Sequence, residues 1–452
     1  MTKDLTAGKP MSLIIGFALP TLLGMLFQQF YNLVDTMIVG KLLGSAALAA
    51  VGSTGAINFC IIGFCMGVCS GFAIPVAQRI GANQPDKMRQ CVANSAYLSI
   101  LFAVVITVAT GLLCRDIMGW MNTPADIFES ANLYIFIIFM GIPTTFLYNL
   151  LAGIIRSLGD SKTPVYFLAL SSILNIFLDF ALILWFHAGV TGAAIATVVS
   201  QGVSGLACLF YMGRKYPILR MNAGEGRLDL RVCGTLCALG VPMGLQYSIT
   251  AIGSIILQSA VNGLGSLYVA AVAAASKLCQ LLACPYDAMG ATMATYCGQN
   301  VGARKLDRLS QGVRACTGLA AGYFVIALVA MLLFAPQCSM LFLDPGEADV
   351  ARLVELTARY TLVNVAFFFP LALVNILRFS IQGMGYSMFA ILAGVLEMAA
   401  RTGVGLWLVP WFGYTAACFA SPAAWVLADA FLIPAYIWCV SRLRKKRAAW
   451  AA

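Results

Sequence analysis

The sequence predicts an all-α integral membrane protein with about twelve transmembrane helices in two parallel six-helix pseudo-repeats. Three observations lead there. Hydrophobic residues make up 61% of the 452 and charged residues only 10%, against roughly 25% charged in a soluble globular chain; the mean hydropathy of +0.88 agrees. Residues 78–92, QRIGANQPDKMRQCV, return at 299–313 as QNVGARKLDRLSQGV, so one unit is present twice. Of the 28 Lys and Arg residues, 22 fall on one side of the spans those apolar runs define.

Apolar runs of about 20 residues or more, enough to cross a bilayer core, place the first set of spans near 11–39, 46–76, 91–114, 131–155, 164–186 and 190–212. The second set falls near 232–260, 267–297, 313–335, 353–379, 386–409 and 413–440. In the repeat Gln78, Gly81, Ala82, Asp86, Gln90 and Val92 match Gln299, Gly302, Ala303, Asp307, Gln311 and Val313, and upstream Gly44 and Val51 match Gly265 and Val272. An even number of spans per half makes the halves parallel, related about an axis along the membrane normal. The expected domains are an N-terminal six-helix lobe (1–212), a cytoplasmic linker rich in Gly, Pro and charge (213–231), and a C-terminal six-helix lobe with a basic cytoplasmic tail (232–452). The N-terminus has no small-residue cleavage site of the signal-peptide kind, so the first span is expected to be retained.

Charge placement orients these spans. Lys41, Arg115, Arg352 and Arg359 fall on one face and Lys277 and Arg401 within spans, whereas the others, among them Lys3, Arg79, Arg89, Arg156, Arg227, Arg308, Arg378 and Arg444, fall on the opposite face. That asymmetry puts both termini in the cytoplasm. The formal charge of +10 is therefore a topology signal, and no polar segment is long enough to offer nucleic acid a basic face. The fifteen cysteines contain no CxxC spacing and no Cys/His pairing; they read as small apolar packing residues, and no metal site is expected. His187 is the only histidine and stands at a span end, which argues against histidine-based catalysis and so against an enzyme.

Function then rests on the polar residues inside spans. An Asp at the centre of a membrane helix costs about 2.5–3.5 kcal/mol on insertion scales and marks a site by default. Gln28, Asn32 and Asp35 follow at i, i+4 and i+7 on one stripe of span one. Asn175 and Asp179 share a face of span five with Ser172 one turn earlier, and Thr197 and Gln201 are four apart in span six. Carboxylate, amide and hydroxyl oxygens from three helices suit a hard cation, Na⁺ or H⁺. Two carboxyl groups held together away from water need a cation or a proton between them. Ser172, Asn32, Thr197 and Gln201 equally fit a role as hydrogen-bonding glue between helices; for the aspartates that role is poorly suited, since Asn or Ser would serve without the ionisation penalty. Glu397 and Arg401, four apart in span eleven, read as a structural ion pair. Lys277 and Asp287 are ten residues apart and poorly placed to pair, so one of them is expected to face a cavity; Asp429 has no evident partner. Pro20 removes a backbone hydrogen bond inside span one, with Pro242 in the corresponding place in span seven. Each is a candidate hinge or a fixed kink.

Pro20 followed by QQFYNLVDTMIVGKLLGSAALAAVG, NIFLD at 175–179, and the doubled GA-x3-D-x3-Q-x-V loops resemble the multidrug and toxic compound extrusion (MATE) transporters over nearly the whole chain. The resemblance implies two six-helix lobes around a central V-shaped cavity. It also implies export of amphipathic, often cationic drugs or toxic metabolites by alternating access, in exchange for H⁺ or Na⁺ and with no other cofactor. Carried over by motif, Asp35, Asn175, Asp179 and Thr197 match the family's amino-lobe cation site, and Pro20 matches the proline where the first helix bends. Gln28, Asn32, Gln201, Gln246 and Asp287 are expected to line the substrate cavity. The second half departs from one branch of the family: Ile256 and Leu257 stand where a repeat of Asp35 would fall, and Asp287 is the available substitute. The expected setting is a monomer among the lipids of the inner (plasma) membrane, with no nucleic-acid partner. Two other readings stay open. A lipid or polysaccharide flippase of the same superfamily would favour a basic cavity, and an integral membrane enzyme would need a polar catalytic cluster near an interface.

Overall fold

The computed structural model describes residues 4–121, 123–222, 224–343 and 349–451; Lys3, one of the cations placed in the cytoplasm, lies outside them. Every regular element among the described residues is helical: α1 (Pro10–Leu43), α2 (Ser45–Ser53), α3 (Gly55–Gly81), α4 (Pro85–Trp120), α5 (Phe128–Met140), α6 (Ile142–Ser157), α7 (Lys162–Phe180) and α8 (Gly189–Lys215), then α9 (Leu230–Asn262), α10 (Ser266–Gly302), α11 (Asp307–Met340), α12 (Val350–Ala366), α13 (Phe368–Gly383), α14 (Ser387–Gly403), α15 (Val409–Phe412) and α16 (Tyr414–Ala451). π-helical turns at Ala181–Trp185 and Val404–Leu408 extend α7 and join α14 to α15, and a short 3₁₀ turn lies at Pro217–Leu219.

Among the described residues ten helices are long and apolar enough to cross a membrane, or up to twelve when the bent pairs α5–α6 (45°) and α12–α13 (50°) each count as one span. Both bends have a cause in the sequence. Pro143 and Pro370 stand just after them and cannot donate the backbone hydrogen bond that would carry the helix across. The second span, expected as one run, is broken at Thr54 into α2 and α3. Gly52 and Gly55 flank that break, whereas the repeat-related Ala273 and Ser276 keep α10 unbroken, in line with glycine's poor helix propensity. The outward faces are as apolar as any core: α4 exposes Ile100, Leu101, Val104, Val105, Val108 and Leu112, and α11 exposes Val325, Ile326, Val329, Leu332 and Leu333. Such surfaces are stable against lipid, where helices satisfy their own amides.

The chain forms two compact units, one holding Leu23–Ser248 and the other Leu5–Leu22 together with Ile249–Ala452. In the first, Val68, Phe72, Met88, Ile135, Phe139 and Phe146 form the core. There α3 and α9 meet glycine to glycine. A Cβ on Gly71 would lie 2.4 Å from Gly240 Cα, and one on Gly67 would lie 2.7 Å from Gly244 Cα, the small-residue contact that lets membrane helices approach. In the second, Tyr286, Met293, Tyr296 and Phe368 form a core that includes Ile14 and Phe17 of α1. These units differ from the division at 1–212 and 232–452 drawn from the repeat. The start of α1 packs with the later chain and α9 as far as Ser248 with the earlier one, because a repeat records duplication and a compact unit records burial.

The doubled loops anchor the segments that lead into α1 and α9. Arg89 at the start of α4 holds Glu225 of the linker through two hydrogen bonds of 2.6 and 2.7 Å and also pairs with Asp86. Asn94 accepts from the Asp229 amide at 2.9 Å, and the Tyr97 hydroxyl donates to the Gly226 carbonyl. The bidentate guanidinium holds the Glu225 carboxyl down at about 2. In the second unit Gln299 accepts from the Leu5 amide at 3.0 Å, Asn300 donates to the Leu5 carbonyl, and Lys305 and Arg308 donate to the Thr6 and Gly8 carbonyls.

Candidate functional site

The oxygen-bearing residues of α1, α7 and α8 converge inside the first unit. Asp179 and Asn175, one turn apart on α7, are both fully buried at 0% exposure, and Asp35 of α1 is half-buried. The Asp35 and Asp179 carboxyl groups lie within direct interaction distance of one another. Thr197 of α8 donates its hydroxyl proton to the Ala193 carbonyl (3.1 Å), so it accepts from Asn175 Nδ2 (3.3 Å) and faces the Tyr31 hydroxyl at 3.5 Å. The α7 helix passes into its π-helical turn two residues after Asp179. Such local widening recurs at functional sites and re-aims the preceding side chains.

Supply and demand of protons in this cluster do not balance. Asp35 Oδ1, Asn175 Oδ1 and both carboxylate oxygens of Asp179 are buried with no hydrogen-bond donor. Neither aspartate has a basic partner among the described residues. Buried acceptors left without donors are costly. Four such oxygens from two helices, with Thr197 adjacent, make the arrangement that a proton or a small hard cation satisfies. No group of three or more His, Cys, Asp and Glu side chains among the described residues could hold a metal ion, so a cation here would rest on mixed carboxylate, amide and hydroxyl oxygens.

Asp35, Asn175, Asp179 and Thr197 are thus brought together. Of the remaining cavity candidates, Gln28 is half-buried and Asn32 exposed on α1, while Gln201 is half-buried and accepts from Thr145 at 3.0 Å. Gln246 is buried at 5% exposure, inside the helix packing of the first unit. Pro20 stands within α1, which continues unbroken through it. Tyr31 and Tyr134 were missed by sequence reasoning. Both lie close enough to the acid pair to feel its charge. Tyr31 could have been found from its place four residues before Asp35, one helical turn away; Tyr134, on α5, leaves no such mark.

In the second unit Asp287 is exposed and accepts from Asn375 Nδ2 at 3.0 Å, while Lys277 on the same helix is exposed as well. Glu397 and Arg401 pair at 3.3 Å as their spacing implies. One placement is corrected: Arg378, assigned to the cytoplasmic face, is buried at 6% exposure and forms an ion pair with Glu397. It sits in the last turns of α13, where helix packing rather than water surrounds it, and charge counting along the chain could not distinguish the two.

Comparison with known proteins bears on the chain as a whole. The MatE family profile matches residues 20–181 and 242–405, one stretch in each repeat. The probable multidrug resistance protein YoeA of Bacillus subtilis (strain 168) is 30% identical over 340 residues, covering 73% of each chain. The probable multidrug resistance protein YpnP of the same organism is 27% identical over 376 residues, covering 82% of each. Among solved structures, that of MATE in complex with MaL6 superposes with a TM-score of 0.90 at 23% identity, covering 98% of this chain and all of the other.

Proposed function

The chain belongs to the MatE family, and on that premise we propose that it is a multidrug efflux transporter that exchanges H⁺ or Na⁺ for amphipathic, often cationic drugs or toxic metabolites by alternating access. One observation carries the coupling: four buried oxygens of Asp35, Asn175 and Asp179 without a donor, and no basic side chain among the described residues paired to either acid. In this reading the cation binds from outside against Asp35 and Asp179, with Asn175 and Thr197 completing its shell. Its arrival removes the repulsion between the two carboxylates, α1 changes shape at Pro20, and the drug is released. Gln28, Asn32, Gln201 and Asp287 contact the drug; Gln246, being buried, acts from behind the surface. The protein works as a monomer in the inner (plasma) membrane among its lipids, both termini cytoplasmic, with no cofactor but the coupling ion.

Magnitudes constrain the exchange. One charge moving inward down 100 mV supplies about 2.3 kcal/mol, enough for roughly a 50-fold gradient of a neutral drug. For a monovalent cationic drug one-for-one exchange is electroneutral, and only the ion's chemical gradient drives it. A flippase would favour a basic cavity; the acids identified outnumber the basic Lys277 and Arg401, and Arg378 and Arg401 both engage Glu397. Ethidium efflux from vesicles with separately imposed Na⁺ and pH gradients tests the proposal. Asp35→Asn and Asp179→Asn are expected to abolish gradient-driven efflux. Parental rates in both would refute the site.

A further inference from the structure

One end of the second unit carries a patch of cations that drug transport leaves without a task. Residues 299–314 and 436–447 hold nine Lys and Arg residues and one acid, Asp307. Three of these cations have local duties. Lys305 and Arg308 donate to the Thr6 and Gly8 carbonyls, and Arg444 of α16 pairs with Asp307 of α11 at 3.4 Å. That ion pair brings the start of α11 to the end of α16. Arg314, Arg442, Lys445 and Lys446 are exposed and make no ion pair among the described residues, and Tyr436 lies within electrostatic range of both Arg314 and Arg444. Like charges gathered in this way repel one another, and an anion relieves the repulsion.

The surface leading up to the patch selects the kind of anion. Along α16, Ile433 and Ile437 are 44% and 59% exposed and Trp438 is 45% exposed. Trp438 packs edge-on against Tyr386 and Phe389, with ring centroids 5.9 and 5.5 Å apart, and the Arg442 guanidinium lies over its ring at 4.9 Å. Tryptophan and tyrosine gather where hydrocarbon gives way to headgroups. Arg442 stands one helical turn beyond Trp438, about 6 Å along the axis, and Lys445 and Lys446 about one turn further. Apolar surface, aromatic boundary and cations therefore follow in the order of acyl chain, glycerol and phosphate. A soluble anion would have no use for the first two.

We propose that this end of α16, together with Arg314 of α11, binds the headgroup phosphate of an anionic phospholipid whose acyl chains lie along Ile433 and Ile437. Clusters of four or more Lys and Arg residues directly after a membrane span recognise anionic lipid in this way. In the topology proposed above the lipid belongs to the cytoplasmic leaflet. The site depends on neither the coupling ion nor the identity of the drug, so its test is separate from theirs.

The test is a titration of the purified full-length protein in detergent with phosphatidylglycerol or phosphatidylcholine, the bound lipids being counted by native mass spectrometry. The parent is expected to bind its first phosphatidylglycerol more tightly than phosphatidylcholine, and inorganic phosphate at the same concentration is expected not to displace it. Arg442→Gln/Arg444→Gln/Lys445→Gln/Lys446→Gln should weaken that first binding about tenfold or more, and Arg314→Gln alone about fivefold, the worth of one basic residue at a membrane surface. The charge-matched control is Arg214→Gln/Arg220→Gln/Arg227→Gln/Arg231→Gln, at exposed positions in and beside the linker, and it should keep the parental affinity. Melting temperatures show that each variant is folded. The proposal is overturned if the parent does not distinguish the two lipids, if Arg314→Gln or the folded α16 variant binds as the parent does, or if the control loses as much as the α16 variant. Displacement by inorganic phosphate would overturn it as well, since the patch would then take any phosphate.

Discussion

Replacing Gly71 by alanine should loosen the contact between α3 and α9. The added Cβ would stand 2.4 Å from Gly240 Cα, 2.8 Å from its nitrogen and 2.8 Å from the Leu239 carbonyl oxygen. Carbon atoms rest at about 3.5–4.0 Å, so the helices must part by about 1 Å along a face where Val68, Phe72 and Met243 are buried. Every atom met is backbone and cannot rotate away. Overpacking of this kind destabilises by about 1–3 kcal/mol. The control is Gly318→Ala on α11, where a Cβ meets nothing within 4 Å. Both substitutions share the helix-propensity gain of about 1 kcal/mol, so their difference isolates packing. Denaturation in mild detergent, followed by tryptophan fluorescence, should place Gly71→Ala below Gly318→Ala by about 1–3 kcal/mol. Equal stability of the two would refute the close approach of α3 and α9.

Other perturbations separate anchoring from transport. Arg89→Ala removes both hydrogen bonds to Glu225 and should raise proteolytic cleavage within 213–231 several-fold, with efflux affected less than by Asp179→Asn; limited proteolysis reads the first and ethidium efflux the second. Asp160, between α6 and α7, resists the upward pull of burial because the Thr163 amide, the Tyr216 and Thr163 hydroxyls and Lys215 hold its carboxyl down at about 2. A depressed carboxyl stabilises the fold above its unfolded value near 4 and loses that contribution as pH falls through about 2. The melting temperature of the parent should therefore exceed that of Asp160→Asn at pH 6, and the gap should narrow between about pH 4 and pH 2. Thr197→Ala removes one oxygen of the cluster but neither charge; coupling should survive with the ion's apparent affinity lowered about tenfold, measured as the Na⁺ or H⁺ concentration at half-maximal efflux.

The architecture was legible because lipid imposes simple rules. Span length and the doubled QRIGANQPDKMRQCV segment led to the helices directly, and the i, i+4 spacing of Asn175 and Asp179 placed both on the face that meets Asp35. What stayed hidden depends on three dimensions. The packing of the start of α1 with the later chain is set by burial. The bends at Gly141 and Phe367 and the break at Thr54, although marked by Pro143, Pro370, Gly52 and Gly55, fall inside apolar runs that length alone reads as continuous. Arg378 looked like one more cytoplasmic cation because its distance from a span end is short, and only the position of Glu397 on a neighbouring helix shows what it pairs with. Tyr134 lies on an element with no other polar sign of the site. Gln246 stood out in span seven because no repeat of Asp35 falls there; its burial at 5% exposure is set by packing that spacing does not reveal.

Ion movement accompanying drug movement tests the central claim most directly. Vesicles containing the parent protein and loaded with a pH indicator or ²²Na⁺ should show ion flux opposite to ethidium flux in a fixed ratio. Asp179→Asn should still bind ethidium while the ethidium-dependent ion flux disappears. An Asp179→Asn protein that carries the ion at the parental ratio would contradict the account.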